Sequence, residues 1–223
     1  MMKRREELQV VARPWRADSA VRSQMVDACS LASLQMNGPT LRSLGVVSAI
    51  RGEGRSSVAI AMAVVQQRDY RRRVLLLEMD FERPSLARRL EAEATPGLAE
   101  LIRGDASIHD VVQPLADGMS TITAGAAAGA GLRLIVELMS SGLFQQLMGH
   151  VEVVVVDLPP LIGSSFAAQA AGLVERALLV VRAGVTPVAQ VREAVASLPA
   201  EPVILLNGVE SRLPAWLRRR SGT

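Results

Sequence analysis

From residue 41 onward the chain alternates short aliphatic runs with longer stretches whose apolar positions recur at helical spacing. The runs at 44–50, 74–79, 120–123, 151–156, 177–181 and 203–206 are β-branched or leucine-rich. Strands buried on both faces have that pattern. The intervening stretches 57–68, 132–148, 166–174 and 187–198 predict helices. Strand and helix in regular alternation predict an α/β fold, a mainly parallel doubly wound sheet with helices on both faces. Ahead of it, 19–36 is amphipathic and predicts one more helix, ended by Asn37-Gly38-Pro39. The small-residue stretch 124–131 predicts a loop after a strand. The expected organisation is therefore an N-terminal arm and helix over 1–40, one α/β domain over 41–209 and a basic polar tail over 210–223.

Composition narrows the chemistry. Of 223 residues, 49% are hydrophobic but only 3% aromatic, so the core must be aliphatic. A single cysteine, Cys29, excludes an internal disulfide or a multi-thiolate zinc site, and two histidines, His109 and His150, leave little for a metal centre or a histidine triad. There is one lysine, Lys3, and one tyrosine, Tyr70, against twenty-four arginines. The net charge is +3, and the arginine clusters at the N-terminal arm, 71–73 and 218–220 are not interleaved with aromatics. They read as solvated faces, and no nucleic-acid partner is expected. No apolar run reaches the length of a membrane span, and MMKRREELQVV lacks the core of a signal peptide, so a cytoplasmic protein is expected. Trp216 and Leu217 beside Arg218–Arg220 allow peripheral membrane contact only.

Three strand ends carry the candidate chemistry. The first runs through Ser48 into Arg51-Gly52-Glu53-Gly54-Arg55-Ser56-Ser57 and then into an Ala/Val-rich helix. A glycine turn between strand and helix builds a nest of backbone N–H groups for phosphate, reinforced by the helix dipole. Ser56 stands where a Walker A hydroxyl meets magnesium, while Arg55 stands where that pattern has lysine. A guanidinium is a planar fork and lysine a point charge, so the exchange is not conservative. The second strand ends in Glu78 and Asp80, spaced so that both are expected on one side of the strand end, and the third ends in Asp157 before Pro159-Pro160. Such acids orient a nucleophile or a hydrated magnesium, and in a doubly wound sheet all three ends meet at the carboxyl edge.

With these residues in place the chain resembles the bacterial tyrosine kinases of capsule and exopolysaccharide systems (the CpsD/CapB/Wzc cytoplasmic domain), within the MinD/ParA class of P-loop ATPases. SAIRGEGRSS resembles their Walker A, LLLEMDFERP their second acid motif and VVVVDLPPL their Walker B. The segments from Gly97 to Gly104 and from Glu137 to Ser141, and the pair ALLVVRAGVT and PVILLNGVE, resemble further family elements. The resemblance implies a P-loop fold and ATP or ADP with Mg2+. Backbone N–H groups of Gly52, Glu53, Gly54, Arg55, Ser56 and Ser57 would cradle the phosphates and Asn207 would contact adenine. Ser56, Asp80 and Asp157 would serve the metal, and Arg55, Glu78, Asp80 and Asp157 would be the catalytic set. As partners it implies the cytoplasmic segment of a Wzz-like membrane polysaccharide co-polymerase, with homo-oligomer formation.

The departures gather at the chemistry. Besides Arg55, Glu78 replaces an aspartate, and Phe166 stands nine residues past Asp157, where the family has an acid. The E..R..R ring element reads Ser19, Arg22, Met25, and the chain after Asn207 has no tyrosine. The expected function is a nucleotide-binding regulator with weak or lost autokinase activity, a pseudokinase. The alternatives are an active kinase or ATPase in which Arg55 and Glu78 compensate each other, and a MinD/ParA-type positioning ATPase. The last would want a signature lysine at Ile50.

Overall fold

The computed structural model of the chain describes residues 19–116 and 118–208. The expected N-terminal arm up to residue 18 and the tail over 210–223, with Trp216 and Arg218–Arg220, lie outside the described residues.

Continuous aliphatic runs become strands buried on both sides. In chain order these are β1 (Ser43–Ser48), β2 (Val74–Glu78), β3 (Gln113–Ala116), β4 (Met119–Ile122), β5 (Val153–Asp157), β6 (Arg176–Arg182) and β7 (Val203–Asn207). They form one seven-stranded sheet in the order β3-β4-β2-β5-β1-β6-β7. Every neighbouring pair is parallel except β3 with β4. The helices are α1 (Ser19–Gln35), α2 (Arg55–Tyr70), α3 (Leu86–Leu90), α4 (Leu98–Arg103), α5 (Ile108–Val111), α6 (Gly131–Ser141), α7 (Leu143–His150), α8 (Ala167–Ala171) and α9 (Val188–Ser197).

Side chains alternate across a strand, so each run feeds two cores. Leu44, Val46, Leu76, Val153, Val155 and Val180 face the layer of α1 and α2, where Cys29, Met36, Val58 and Met62 are buried. Val47, Leu75, Leu77, Val154, Val156 and Leu179 face the opposite layer and meet Leu98, Leu134, Phe144, Ala170 and Ala194. Helix α1 is tied to α2 by polar bonds as well. Gln66 Nε2 donates to Ser33 Oγ at 2.9 Å, and Ser30 Oγ donates to Asp69 Oδ2 at 2.6 Å. Burial pushes the Cys29 thiol up to about 12, so this cysteine is an inert packing residue.

The structure departs from the sequence pattern in three places. The stretch 132–148 is two helices, because the chain turns at Gly142, whose φ of 70° is left-handed. Strand β3 is an antiparallel edge built on Gln113 and Pro114, which carry no strand pattern. Proline is tolerated there because an edge strand leaves its N–H side unpaired. The short helices α3 to α5 have too few turns to display a period. Among the described residues no helix is long and apolar enough to cross a membrane.

Parallel order has one consequence for the site. The segments leaving β1, β2, β5, β6 and β7 all emerge at the same edge, with Glu78 paired in register to Asp157 and Arg182 to Asn207.

Candidate functional site

Between β1 and α2 the chain makes a tight loop in which Gly52 and Gly54 take φ values of 86° and 89°. Both lie in the left-handed region, where a Cβ is strained. At Gly52 an added Cβ would meet nothing within 4 Å, because that side is open. At Gly54 it would lie 2.2 Å from Asn207 Nδ2. Helix α2 begins at Arg55, so the free N–H groups of its first turn and the positive end of its dipole face the loop's concavity.

Glu53, between the two glycines, is buried and points away from that concavity. Its Oε2 accepts the Ile50 N–H at 2.8 Å, while its Oε1 accepts the Arg182 N–H at 2.9 Å and the Thr186 hydroxyl. Its carbonyl accepts Asn207 Nδ2–H at 2.8 Å, and Asn207 Oδ1 accepts the Gly208 N–H at 2.9 Å. Glu53 and Asn207 thus fasten the loop to the ends of β6 and β7. Sequence reasoning missed this role for Glu53. The available signal was a lone acid between two glycines in a segment that otherwise works through backbone. Both ends of the Asn207 amide are engaged within the protein, so contact with an adenine would rest on its remaining N–H and lone pair.

A cleft of about 240 Å³ opens over the loop. Its lining includes Arg51, Arg55, Arg83, Arg89 and Asp80, with Glu82 on Arg51 and Asp157 on Arg55, which leaves an excess of one guanidinium. Such a field selects polyanions. Arg89 reaches both serine-bearing segments, with Nη1 donating to Ser57 Oγ at 3.1 Å and Nε to Ser85 Oγ at 3.3 Å. Ser85 Oγ in turn donates to Ser56 Oγ at 3.1 Å. Arg51 pairs with Glu82 and reaches Asp80 Oδ2 at 3.5 Å. Phosphates therefore fit the site, through backbone N–H groups, an open glycine face and cationic walls.

Arg55 sits at the bottom of this cleft and is itself buried. Its Nε donates to Asp157 Oδ1 at 2.8 Å and its Nη2 to Asp80 Oδ2 at 2.6 Å. Burial works against the charge, but the fields of Asp157 and Asp80 and their hydrogen bonds outweigh it, so the guanidinium is held above the ordinary arginine value. Asp80 Oδ1 accepts the Arg83 N–H at 3.1 Å. Asp157 Oδ2 is buried with no hydrogen-bond partner.

Magnesium does not fit the residues as they stand. Of the three residues expected to hold it, two, Asp80 and Asp157, are already bridged by a cation of the chain, Arg55. Ser56 Oγ is engaged with Ser85, and Asp157 Oδ2 is the one carboxylate oxygen of that set without a donor. Among the described residues no group of three or more His, Cys, Asp or Glu side chains is arranged to hold a metal ion.

Glu78 ends β2 and Asp80 follows it by two residues, yet the two carboxylates have different partners. The Glu78 carboxylate faces the start of α3 and the end of β4. Its Oε1 accepts the Ser85 and Leu86 N–H groups, the latter at 2.8 Å, and its Oε2 accepts the Ala124 N–H at 3.2 Å. It organises backbone, and the expected compensation of Arg55 by Glu78 falls instead to Asp80 and Asp157. Burial pushes this carboxyl up to about 7, aided by the nearby Asp157 and opposed by the three N–H groups. A folded value above the unfolded 4.5 favours the protonated form in the fold. Its stabilising contribution is full below about 4.5 and lost as pH rises to about 7, roughly 3 kcal/mol in all. Urea unfolding at several pH values across that window should show wild type losing stability relative to Glu78→Gln as pH rises. Parallel profiles would contradict it.

Tyr70 ends α2, roughly 22 Å of helix away from Arg55 and at the opposite edge of the sheet. It is half-buried, and its hydroxyl lies 2.8 Å from where a Cβ on Gly38 would be. It cannot reach the cleft of its own chain.

No family model matches the chain. Among curated proteins it is similar to tyrosine-protein kinase YwqD of Bacillus subtilis, 24% identical over 173 residues, covering 75% of this chain and 73% of that one. Tyrosine-protein kinase ptk of Acinetobacter johnsonii is 27% identical over 111 residues, 49% of this chain but only 15% of that protein. Among solved structures, the kinase domain of the Escherichia coli tyrosine kinase ETK superposes with a TM-score of 0.76 at 25% identity. That match covers 96% of this chain and 85% of that domain. Its relatives are bacterial tyrosine kinases. The fold is also that of the MinD/ParA class, as in the Cyanothece McdA–ATP complex, with a TM-score of 0.59 at 18% identity over 75% of the chain. The chain is thus a tyrosine-kinase-like P-loop protein.

Proposed function

We propose that the cleft binds ATP or ADP and that the chain has weak or lost tyrosine autokinase activity. In this reading it regulates a membrane polysaccharide co-polymerase by engaging that protein's cytoplasmic segment, as a homo-oligomer. The backbone of Gly52 to Ser57 holds the phosphates, Arg51, Arg83 and Arg89 offset their charge, and Asn207 lies at the base end. The observation that carries the reading is the Arg55 guanidinium held by Asp80 and Asp157 at the position of the Walker lysine. Phosphoryl transfer depends almost wholly on charges placed around the migrating group. Here the acid that would orient an attacking hydroxyl and the cation that would follow the γ-phosphate neutralise each other instead.

Calorimetry with ATP and ADP, followed by turnover of labelled ATP, tests this. Binding is expected, with turnover about a thousandfold or more below that of Arg55→Lys, in which a point charge can leave the carboxylates. Equal turnover by wild type and the lysine variant would establish an active enzyme in its place. Turnover raised by liposomes or DNA would indicate a positioning ATPase.

A further inference from the structure

A nucleoside polyphosphate ordinarily enters a P-loop with a divalent cation that offsets its charge and is oriented by the strand-end acids. In this chain those acids already hold a cation. We propose that Arg55 is a resident cation in the metal's place, and that the cleft takes its nucleoside polyphosphate free of divalent metal. The inference rests on the nucleotide reading above for its ligand, though not for its central geometry.

The first support is the mode of contact. Arg55 engages Asp157 through Nε and Asp80 through Nη2, so one planar group joins two carboxylates that come from different strands. A lysine ammonium has no such fork. Nη1 is left for a phosphate oxygen, so the same guanidinium can neutralise acids on one side and bind the ligand on the other.

The second support is the state of the other metal donors. Asp80 Oδ1 already accepts the Arg83 N–H and Ser56 Oγ the Ser85 hydroxyl, and Asp157 Oδ2 is the oxygen of the set without a donor. A divalent ion would have to displace Arg55 from both acids and would leave a buried guanidinium without partners, which is the costly way to break such a pair. The third is the charge of the walls. Arg83 and Arg89 line the opening and add positive charge that a phosphate chain otherwise draws from its metal, while the charge of Arg51 is met by Glu82.

Two titrations test the proposal. In the first, ATP and ADP affinities are measured by calorimetry in EDTA and in excess Mg2+. Wild type should change by less than about twofold, whereas in Arg55→Lys magnesium should tighten binding by about tenfold or more, since one acid is released. Tightening of that size in wild type, or an indifferent lysine variant, would overturn the resident-cation assignment and leave nucleotide binding intact. In the second, Mn2+ alone is titrated and free Mn2+ is followed by electron paramagnetic resonance. Wild type should take up none, and Arg55→Gln should take up one ion that is lost again in Arg55→Gln/Asp157→Asn. Stoichiometric Mn2+ on wild type, or none on a folded Arg55→Gln, would refute the assignment whether or not any nucleotide binds. Absence of nucleotide binding under every condition, with the Mn2+ pattern as expected, would remove the ligand and keep the resident cation.

Discussion

Replacing Arg55 by alanine is expected to cost about 3–5 kcal/mol of folding stability, measured by urea denaturation near neutral pH. The reason is what remains behind. Asp157 is 0% exposed and Asp80 1%, and the guanidinium is the cation that bridges them. Truncation strips the charge partner from two desolvated carboxylates, one of which, Asp157, already has an oxygen without a hydrogen-bond partner. Were the effect only lost side-chain packing, removing the acids as well would make matters worse. The opposite is expected. In the triple variant Arg55→Met, Asp80→Asn, Asp157→Asn most of the loss should return, because no buried charge is left to solvate. A single Arg55→Ala variant within about 1 kcal/mol of wild type would mean that water reaches these carboxylates in the folded state.

The larger effect is expected at Phe166. Placing an acid there as Phe166→Asp should cost more than about 5 kcal/mol and leave the domain unfolded at ambient temperature, read as loss of the cooperative thermal transition. Phe166 is 2% exposed. Its ring lies 6.2 Å from that of Phe81, and its edge fills the space beside Gly131, where a Cβ would come within 2.6 Å. The substitution empties that volume and places a carboxylate in it with no cation in contact. Phe166→Leu, which keeps the site apolar, should cost only about 1–2 kcal/mol. A folded Phe166→Asp variant would show that the segment before α8 can turn this position to solvent. Phe81, Phe166 and Gly131 fit one another, so an acid at position 166 would need all three to change.

Much of the architecture was legible because parallel strands covered on both faces must be apolar throughout, and their ends then fall at one edge by topology alone. The six runs read from the sequence became β1, β2, β4, β5, β6 and β7, each displaced by no more than a few residues. Strand β3 was not legible, since an edge strand needs only one partner and tolerates Pro114. In the site, Arg55, Asp80 and Asp157 were visible as residue types at strand ends. Their joining was not, because the bridge spans 102 residues of chain to Asp157 and depends on the reach of one side chain. The partners of Glu78 were hidden for a related reason. Strand periodicity places it beside Asp80 but does not show that its carboxylate meets the backbone of Ser85, Leu86 and Ala124. Glu53 stood out only as a lone acid between two glycines, and its partners Arg182 and Thr186 lie 129 and 133 residues further along the chain.

That last attachment sets a limit on the site. Strand β7 is the outermost strand, with Ile204 and Leu206 exposed, and edge strands are the first part of a sheet to open. Asn207 ends it and grips the carbonyl of Glu53. Each time the edge frays, the glycine turn loses one of its moorings, so the free energy of opening β7 caps the rigidity that Asn207 lends the turn. A force or a partner acting on the chain just past Gly208 would be felt first where the phosphates bind.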